Sequence, residues 1–164
     1  MHSIGNEHDA QTIYYWVRGH ENWYGKPSCV EEKSAPYGWE FVGSGSFRSV
    51  WRSPEGVVYK VEHNGDRYDY QSEQEISNLK RVWERGAPQG CRLPKFDKYI
   101  VDDSFVVAME LIKGVLLYEY KGPERDELYE VLSDIESALR LNDMHDENAL
   151  VDEDGYLVPV DFGC

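Results

Sequence analysis

The chain has 164 residues, of which 41% are hydrophobic, enough for one globular domain with a core of moderate size. Its 31 acidic and 17 basic residues give a formal net charge of -14. Such an acidic surface repels nucleic-acid phosphates and argues against DNA or RNA binding, whereas it favours a basic protein partner or serves solubility alone.

The N-terminal residues and the cysteines bear on the compartment. The chain does not open on a basic segment followed by an apolar run, and its most apolar stretch, 99–112, is interrupted by acidic residues. We therefore expect neither a signal peptide nor a membrane span. Cys29, Cys91 and Cys164 are far apart and lack C-x-x-C spacing, which indicates reduced thiols, no zinc site and a cytoplasmic protein.

The pattern of predicted elements becomes clear at Trp39. Residues 1–38 mix aromatic and polar side chains without a clear period, and we interpret them as an N-terminal extension, either packed or formed by a short helix and a loop. Beyond it, β-branched and aromatic runs separated by turn residues predict strands at 39–43, 47–52 and 57–62.

Two helices are predicted, at about 72–85 and about 123–141, where Pro123 suits the first turn. Their predicted buried faces comprise Ile76, Leu79, Val82 and Trp83 in the first, and Leu128, Val131, Leu132, Ile135 and Leu139 in the second. Hairpins are predicted at 98–110, with a turn at Asp102-Asp103, and at 149–160. Antiparallel hairpins separated by helices predict an α+β fold.

A glycine-containing segment, Gly43-Ser44-Gly45-Ser46-Phe47-Arg48-Ser49-Val50, joins the first two predicted strands. Glycine permits the close approach of backbone amides to a phosphate that a side chain would block. A plain hairpin turn explains the same residues, so the segment alone leaves both interpretations open.

Lys60 and Glu75 form a second candidate group. Lys60 lies in an apolar strand and points either into a cleft or outward into solvent. Glu75, on the helix that follows, could hold this lysine toward a phosphate, and Glu73 is an alternative partner. Ser72-x-x-Glu75 is also a capping-box pattern, which would explain Glu75 without any ligand.

The last hairpin is flanked by Asp143 and Asn148 on one side and by Asp161-Phe162-Gly163 on the other. Phosphate transfer from ATP needs backbone amides and a cation for the phosphates, ligands for magnesium, and a carboxylate that orients the attacking hydroxyl. Each of these parts has a candidate in this chain.

These segments resemble the motifs of protein kinases, in the family's order, over residues 39–164. Asp143, Asn148 and Asp161 have the spacing of the catalytic-loop Asp, the catalytic-loop Asn and the D-F-G Asp. Upstream, 43–50, 57–60, 74–79 and 108–114 resemble the Gly-rich loop, the strand lysine motif, the helix with the paired glutamate and the segment that links the lobes.

The resemblance implies a protein kinase-like α+β fold. An N-lobe of about 39–112 would hold an antiparallel sheet with one main helix, and 113–164 would form a much reduced C-lobe. It also implies binding of ATP and Mg²⁺, with Lys60 on the α- and β-phosphates and Glu75 positioning that lysine. The nucleotide would contact Gly43, Ser44, Gly45, Phe47 and Val50 in the loop, Met109 behind the adenine, and the backbone from Glu110 to Ile112.

The same resemblance assigns the catalytic chemistry. Asp143 would accept the proton of the substrate hydroxyl or orient that group, and Asn148 and Asp161 would ligate magnesium. Arg48 replaces the third glycine of the loop. His145, which stands where Ser/Thr kinases often carry lysine, is similar to the residue in aminoglycoside phosphotransferases and keeps a small-molecule acceptor open; a plain polar loop residue is the other interpretation.

The predicted function is that of a minimal ATP-dependent protein kinase of the Ser/Thr type. No activation segment follows Gly163 in the sequence, so the acceptor is not specified. We expect the N-terminal extension or a second copy of the chain, as a homodimer, to support the catalytic loop. Two alternatives stay open: a nucleotide-binding pseudokinase without turnover, and an acidic inhibitor or interaction protein.

Overall fold

The structure, a computed structural model, describes residues 3–20, 35–44, 48–62, 71–139 and 145–160. The chain divides into two compact units. The first unit consists of Met1–Glu73 and Lys95–Leu111, and the second of Gln74–Pro94 and Ile112–Cys164. Helices and strands occur in both units, so the predicted α+β class is confirmed.

An antiparallel five-stranded sheet forms the centre of the first unit, in the order β1-β2-β3-β5-β4. Its strands are β1 (Glu40–Ser44), β2 (Arg48–Arg52), β3 (Val57–Glu62), β4 (Phe96–Val101) and β5 (Ser104–Glu110). All five were predicted from the sequence, although β4 begins two residues earlier than expected. Both residues of the predicted Asp102-Asp103 turn have positive φ, 46° and 64°, a conformation that suits a tight hairpin and that aspartate tolerates.

One face of this sheet is covered by helix α1 (Glu7–Gly19), which the sequence pattern did not define. The helix contacts β3, β4 and β5. Its apolar stripe, Ala10, Ile13, Tyr14 and Val17, joins one core cluster with buried residues of the sheet that include Trp51 and Tyr59. Two hydrogen bonds hold the start of the helix: Tyr99 donates to the carbonyl of Ile4 at 2.7 Å, and the Asn6 N–H donates to Tyr59 at 3.0 Å.

Helix α2 (Gln71–Arg85) begins within the first unit. A Glu62 carboxylate oxygen accepts the Ser72 N–H at 3.0 Å, so a strand residue satisfies one of the open donors of the first turn. Ser72 lies inside that turn, and its Oγ has no hydrogen-bond partner among the described residues. The capping-box interpretation is therefore wrong for Ser72, because its hydroxyl closes no cap.

The buried face of α2 differs from the prediction at one position. Ile76, Leu79 and Val82 are buried as expected. Trp83, however, is 37% exposed, and its indole N–H donates to the carbonyl of Pro94 at 3.0 Å. Its position next to Val82 turns the large ring to the edge of the apolar stripe, where the polar end of the indole finds a backbone acceptor.

A small sheet in the order β6-β7-β8 forms the centre of the second unit, with β6 (Gly114–Leu116), β7 (Ala149–Asp152) and β8 (Leu157–Pro159). Strand β6 and the 3-10 turn after it, Leu117–Glu119, were not predicted. Gly114 is required here, because a Cβ at this position would collide with the carbonyl oxygen of Val151 on the paired strand.

Helix α3 (Arg125–Leu139) also belongs to the second unit and contacts β8. It begins two residues later than predicted, so Pro123 lies in the preceding turn rather than in the helix. Leu128, Leu132 and Ile135 are buried as predicted, and Val131 is half-buried. Arg85 of α2 donates to the carbonyl of Ala138 at 3.1 Å and links the ends of the two helices.

The turn between β7 and β8 is organised by Asp152. One carboxylate oxygen accepts the N–H groups of Asp154 and Tyr156, and the other accepts from Arg92 at 2.9 Å. Burial alone would raise the pKa of Asp152, but these donors outweigh it and lower the pKa below its ordinary value. The carboxylate therefore stays ionised and holds the hairpin turn.

A titration above neutral pH tests the packing of Cys91. Burial raises the pKa of the Cys91 thiol to about 12. Above the ordinary thiol pKa the unfolded state loses a proton that the folded state keeps, so the free energy of unfolding falls by about 1.4 kcal/mol per pH unit from this group. In urea unfolding between about pH 8 and about pH 10, the parent should lose stability more steeply than Cys91→Ala. Equal slopes in both proteins would contradict the burial of this thiol.

Candidate functional site

The sheet face opposite α1 carries the best-defined residues of the predicted site. On β3, Tyr59 and Val61 belong to the core cluster beneath α1, so Lys60, which lies between them, points to the opposite face. In the register of the sheet, Lys60 lies directly opposite Val50 of β2 and Val107 of β5. Lys60 is 7% exposed, so the alternative of an outward, solvated lysine is wrong.

Arg48 lies on the same face of β2 as Val50, two residues before it. Its Cα partner on β3 is Glu62, whose carboxylate also accepts the N–H of Ser72 in the first turn of α2. Arg48 is buried like Lys60. This face of the sheet thus holds two buried cations in a chain of strongly negative net charge, and a buried cation requires anionic or hydrogen-bonding partners.

Gly43 stands opposite Val50 at the end of β1, where the register of the hairpin shifts. A Cβ added at Gly43 would meet no atom of the described residues within 4 Å, and φ at this residue does not lie in the left-handed region. Neither packing nor backbone strain in the described chain therefore explains the glycine. Of the remaining predicted loop residues, Ser44 closes β1, and Gly45 and Phe47 lie outside the described residues.

The predicted adenine-binding segment begins at the end of β5. Met109 is buried, on the same sheet face as Val107. The Glu110 N–H donates to the carbonyl of Lys95 at 3.0 Å, and the Glu110 carboxylate accepts the Lys95 N–H at 2.8 Å, so this residue is held by the residue that precedes β4. No backbone hydrogen bond joins Ile112 to another residue of the described chain, although Ile112 is buried.

Glu75 is fully buried on α2, whereas Glu73 is exposed. A carboxylate without solvent contact must be neutralised or paired, because the desolvation of an isolated charge is too costly. The burial of Glu75 is consistent with the predicted role of a charge partner and makes Glu73 the weaker candidate.

In the second unit, the turn of residues 145–148 leads into β7. The Asn148 N–H donates to the carbonyl of His145 at 2.9 Å, and the Glu147 N–H donates to Nδ1 of the same histidine at 3.2 Å. The carbonyl of Asn148 accepts the N–H of Val160 at 2.9 Å, which places Asn148 beside the residue that precedes Asp161. Asp143 and Asp161 themselves lie outside the described residues.

Two residues that hold this turn, Tyr118 and Tyr129, were not predicted from the sequence. The hydroxyl of Tyr129 on α3 donates to a carboxylate oxygen of Asp146 at 2.7 Å, and the backbone carbonyl of Asp146 accepts the Tyr118 N–H at 3.2 Å. The hydrogen bond to Asp146 raises the pKa of Tyr129, because a phenolate would face a carboxylate. The only sequence signal was a pair of acidic residues, Asp146 and Glu147, between Asp143 and Asn148, and no pattern indicates a partner that is 17 positions away.

Within 3–20, 35–44, 48–62, 71–139 and 145–160, no group of three or more His, Cys, Asp or Glu side chains is arranged to hold a metal ion. In the same ranges, no helix combines the length and the apolar character that crossing a bilayer requires.

Comparison with models of known protein families finds no match for the chain. Comparison with curated proteins finds no match either. The functional interpretation therefore depends on the motifs of the sequence and on the geometry of the described residues.

Proposed function

We propose that the chain is an ATP- and magnesium-dependent phosphotransferase with a protein kinase-like fold, a minimal kinase that acts on a protein hydroxyl. The observation that carries the proposal is the buried Lys60 on β3, directly opposite Val50 at the end of the glycine segment. A lysine on the third strand, next to a glycine-containing hairpin, is the arrangement that kinases use for the phosphates of ATP.

Three further features support the proposal. The elements after residue 39 follow the order that the motifs imply, with three strands, a helix, two strands, a helix and a final hairpin, and β6 with its 3-10 turn is inserted before the second helix. Among the described residues, no atom would obstruct the approach of a phosphate to the backbone at Gly43. The backbone of Ile112, which has no backbone hydrogen bond among the described residues, could hydrogen-bond the edge of an adenine.

Each of the proposed site residues would have its own role in phosphate transfer. Lys60 binds the α- and β-phosphates, and Glu75 neutralises and orients its ammonium group. The acceptor oxygen attacks the γ-phosphorus, the bond to the β,γ-bridging oxygen breaks, and Asp143 takes the hydroxyl proton as ADP leaves. Asn148 and Asp161 would supply the oxygen ligands that magnesium prefers, and a bound ion would neutralise charge on the phosphates.

The proposal predicts that Lys60→Met weakens the binding of ATP by about 10- to 100-fold, because a charge-assisted hydrogen bond to phosphate is worth about 1.5–3 kcal/mol. Thermal unfolding with ATP and magnesium measures this, since ligand at about 100 times its Kd stabilises the folded state by about 2.7 kcal/mol. Lys98→Met is the matched control. Lys98 is the other cross-strand neighbour of Val107 on the same face, and its ammonium lies 5.2 Å from the centre of the Phe105 ring.

We expect Lys98→Met to keep the parental response to ATP. Loss of the response in both lysine variants would indicate a general effect of charge on this sheet face. A parent protein that ATP and magnesium do not stabilise would remove the basis of the proposal. In that case, salt-sensitive binding to a basic protein would favour the acidic interaction protein instead.

A further inference from the structure

The turn of residues 145–148 is held from three sides by groups of its own unit. The side chain of Asp146 accepts from Tyr129 of α3, and its backbone accepts from Tyr118 after β6. On the other side, the carbonyl of Asn148 accepts the N–H of Val160 at the end of β8. Elements that are distant in sequence thus converge on four consecutive residues.

The hydrogen bond between Tyr129 and Asp146 is the shortest of the three that hold this turn. A donor-acceptor distance of 2.7 Å to a carboxylate is typical of a short, charge-assisted hydrogen bond. Tyr129 is half-buried, and the guanidinium of Arg125 lies 5.5 Å from the centre of its ring. The ring therefore has a second contact on its own helix besides the hydrogen bond to the turn.

We propose that Tyr129 is a positioning residue, which through Asp146 holds the turn that leads to Asn148 in the geometry needed for phosphate transfer. The inference rests on the function proposed above. It gives a physical source for the support of the catalytic loop, which the sequence led us to expect from the N-terminal extension or from a second copy. The described helix of that extension, α1, packs on the sheet of the first unit.

The chain offers a matched control for this inference. The hydroxyl of Tyr120 donates to a Glu124 carboxylate oxygen at 2.9 Å, and this residue is also half-buried. Tyr120→Phe removes the same chemical group and the same kind of hydrogen bond, but it leaves the contacts of Asp146 in place. Any general effect of losing a tyrosine hydroxyl is therefore present in both variants.

The test compares Tyr129→Phe with Tyr120→Phe, using ATP that carries a radioactive γ-phosphate. Transfer to the chain itself, to histone, to casein and to kanamycin is followed. We expect Tyr129→Phe to lower kcat about 10- to 100-fold, because small misplacement of reacting groups costs that much, while KM for ATP changes less than about threefold. Tyr120→Phe should stay within about twofold of the parent. Asp146→Asn, which keeps an oxygen acceptor for Tyr129, should lose less activity than Asp146→Ala.

Hydrogen exchange gives a second readout that needs no acceptor. The amides of Glu147 and Asn148 should exchange faster in Tyr129→Phe than in Tyr120→Phe, because the turn opens more often without its contact to α3. A Tyr129→Phe protein with parental kcat, or with parental exchange at these amides, overturns the inference while the proposed function stands. A parent protein that transfers no phosphate and shows no binding of ATP overturns the proposed function, and the positioning role of Tyr129 with it.

Discussion

Asp143→Asn is expected to abolish phosphate transfer while leaving the stabilisation by ATP and magnesium intact. Asparagine has nearly the same shape as aspartate, but its amide cannot take the proton of the attacking hydroxyl. Loss of a general base lowers the rate by about 10²- to 10⁴-fold. Binding of the nucleotide should persist, because the proposal assigns the phosphates and the metal to Lys60, Asn148 and Asp161.

The measurement pairs two assays on one preparation. Incorporation of labelled phosphate should disappear in Asp143→Asn, and the thermal shift caused by ATP with magnesium should match that of the parent. Asp161→Asn is the contrasting variant: it should weaken the magnesium-dependent part of nucleotide binding itself. Equal labelling by Asp143→Asn and the parent would remove Asp143 from the mechanism. A parent that binds ATP tightly but transfers no phosphate to any acceptor would instead be a pseudokinase.

Ile13→Ala should produce the largest loss of stability among simple core substitutions in α1, about 2–5 kcal/mol. Ile13 is fully buried in the cluster between α1 and the five-stranded sheet, where it shares the core with Trp51 and Tyr59. Truncation to alanine removes apolar contact and leaves a cavity that the sheet cannot close, because its strands are fixed by their ladders. The loss is large compared with a typical total stability of about 5–15 kcal/mol.

Urea unfolding measures this effect, with His8→Ala as the control. His8 lies on the exposed side of the same helix, so its replacement should change the free energy of unfolding by less than about 0.5 kcal/mol. A fragment that starts near residue 36 should fail to fold, because the sheet face with Trp51 would be open to water. A folded, monomeric fragment of this kind, or equal stability of both alanine variants, would show that α1 is dispensable.

The strands of the first unit could be predicted from local sequence patterns. The predicted bounds of β3 and β5 agree with the structure. Each strand is a run rich in β-branched residues that directly follows a turn residue, Gly56 for β3 and Asp103 for β5, so its start is well defined. A short helix was one of two interpretations of residues 1–38, but the bounds of α1 were not predicted, although Asn6 as an N-cap and a stripe at 10, 13, 14 and 17 were present. The dense aromatic residues around this stripe, of modest helix propensity, obscured its period.

Whether a charged residue is buried could not be predicted in the same way. The sequence left Lys60 between a buried and a solvated position, and it explained Glu75 equally well as a cap. Both side chains are buried in the structure. Burial of a charge depends on what covers it, and alternation along a strand or the period of a helix does not contain that information.

By itself, the sequence determined the five strands of the first sheet, helices α2 and α3, the last hairpin and most of the turns, because these depend on neighbours within a few positions of the chain. Only the tertiary structure decided that α1 completes the core of the first unit, that Lys60 lies opposite Val50 on a buried face, and that Tyr129 reaches Asp146. These contacts join residues that are distant in the chain, and such contacts form only when packing brings the elements together.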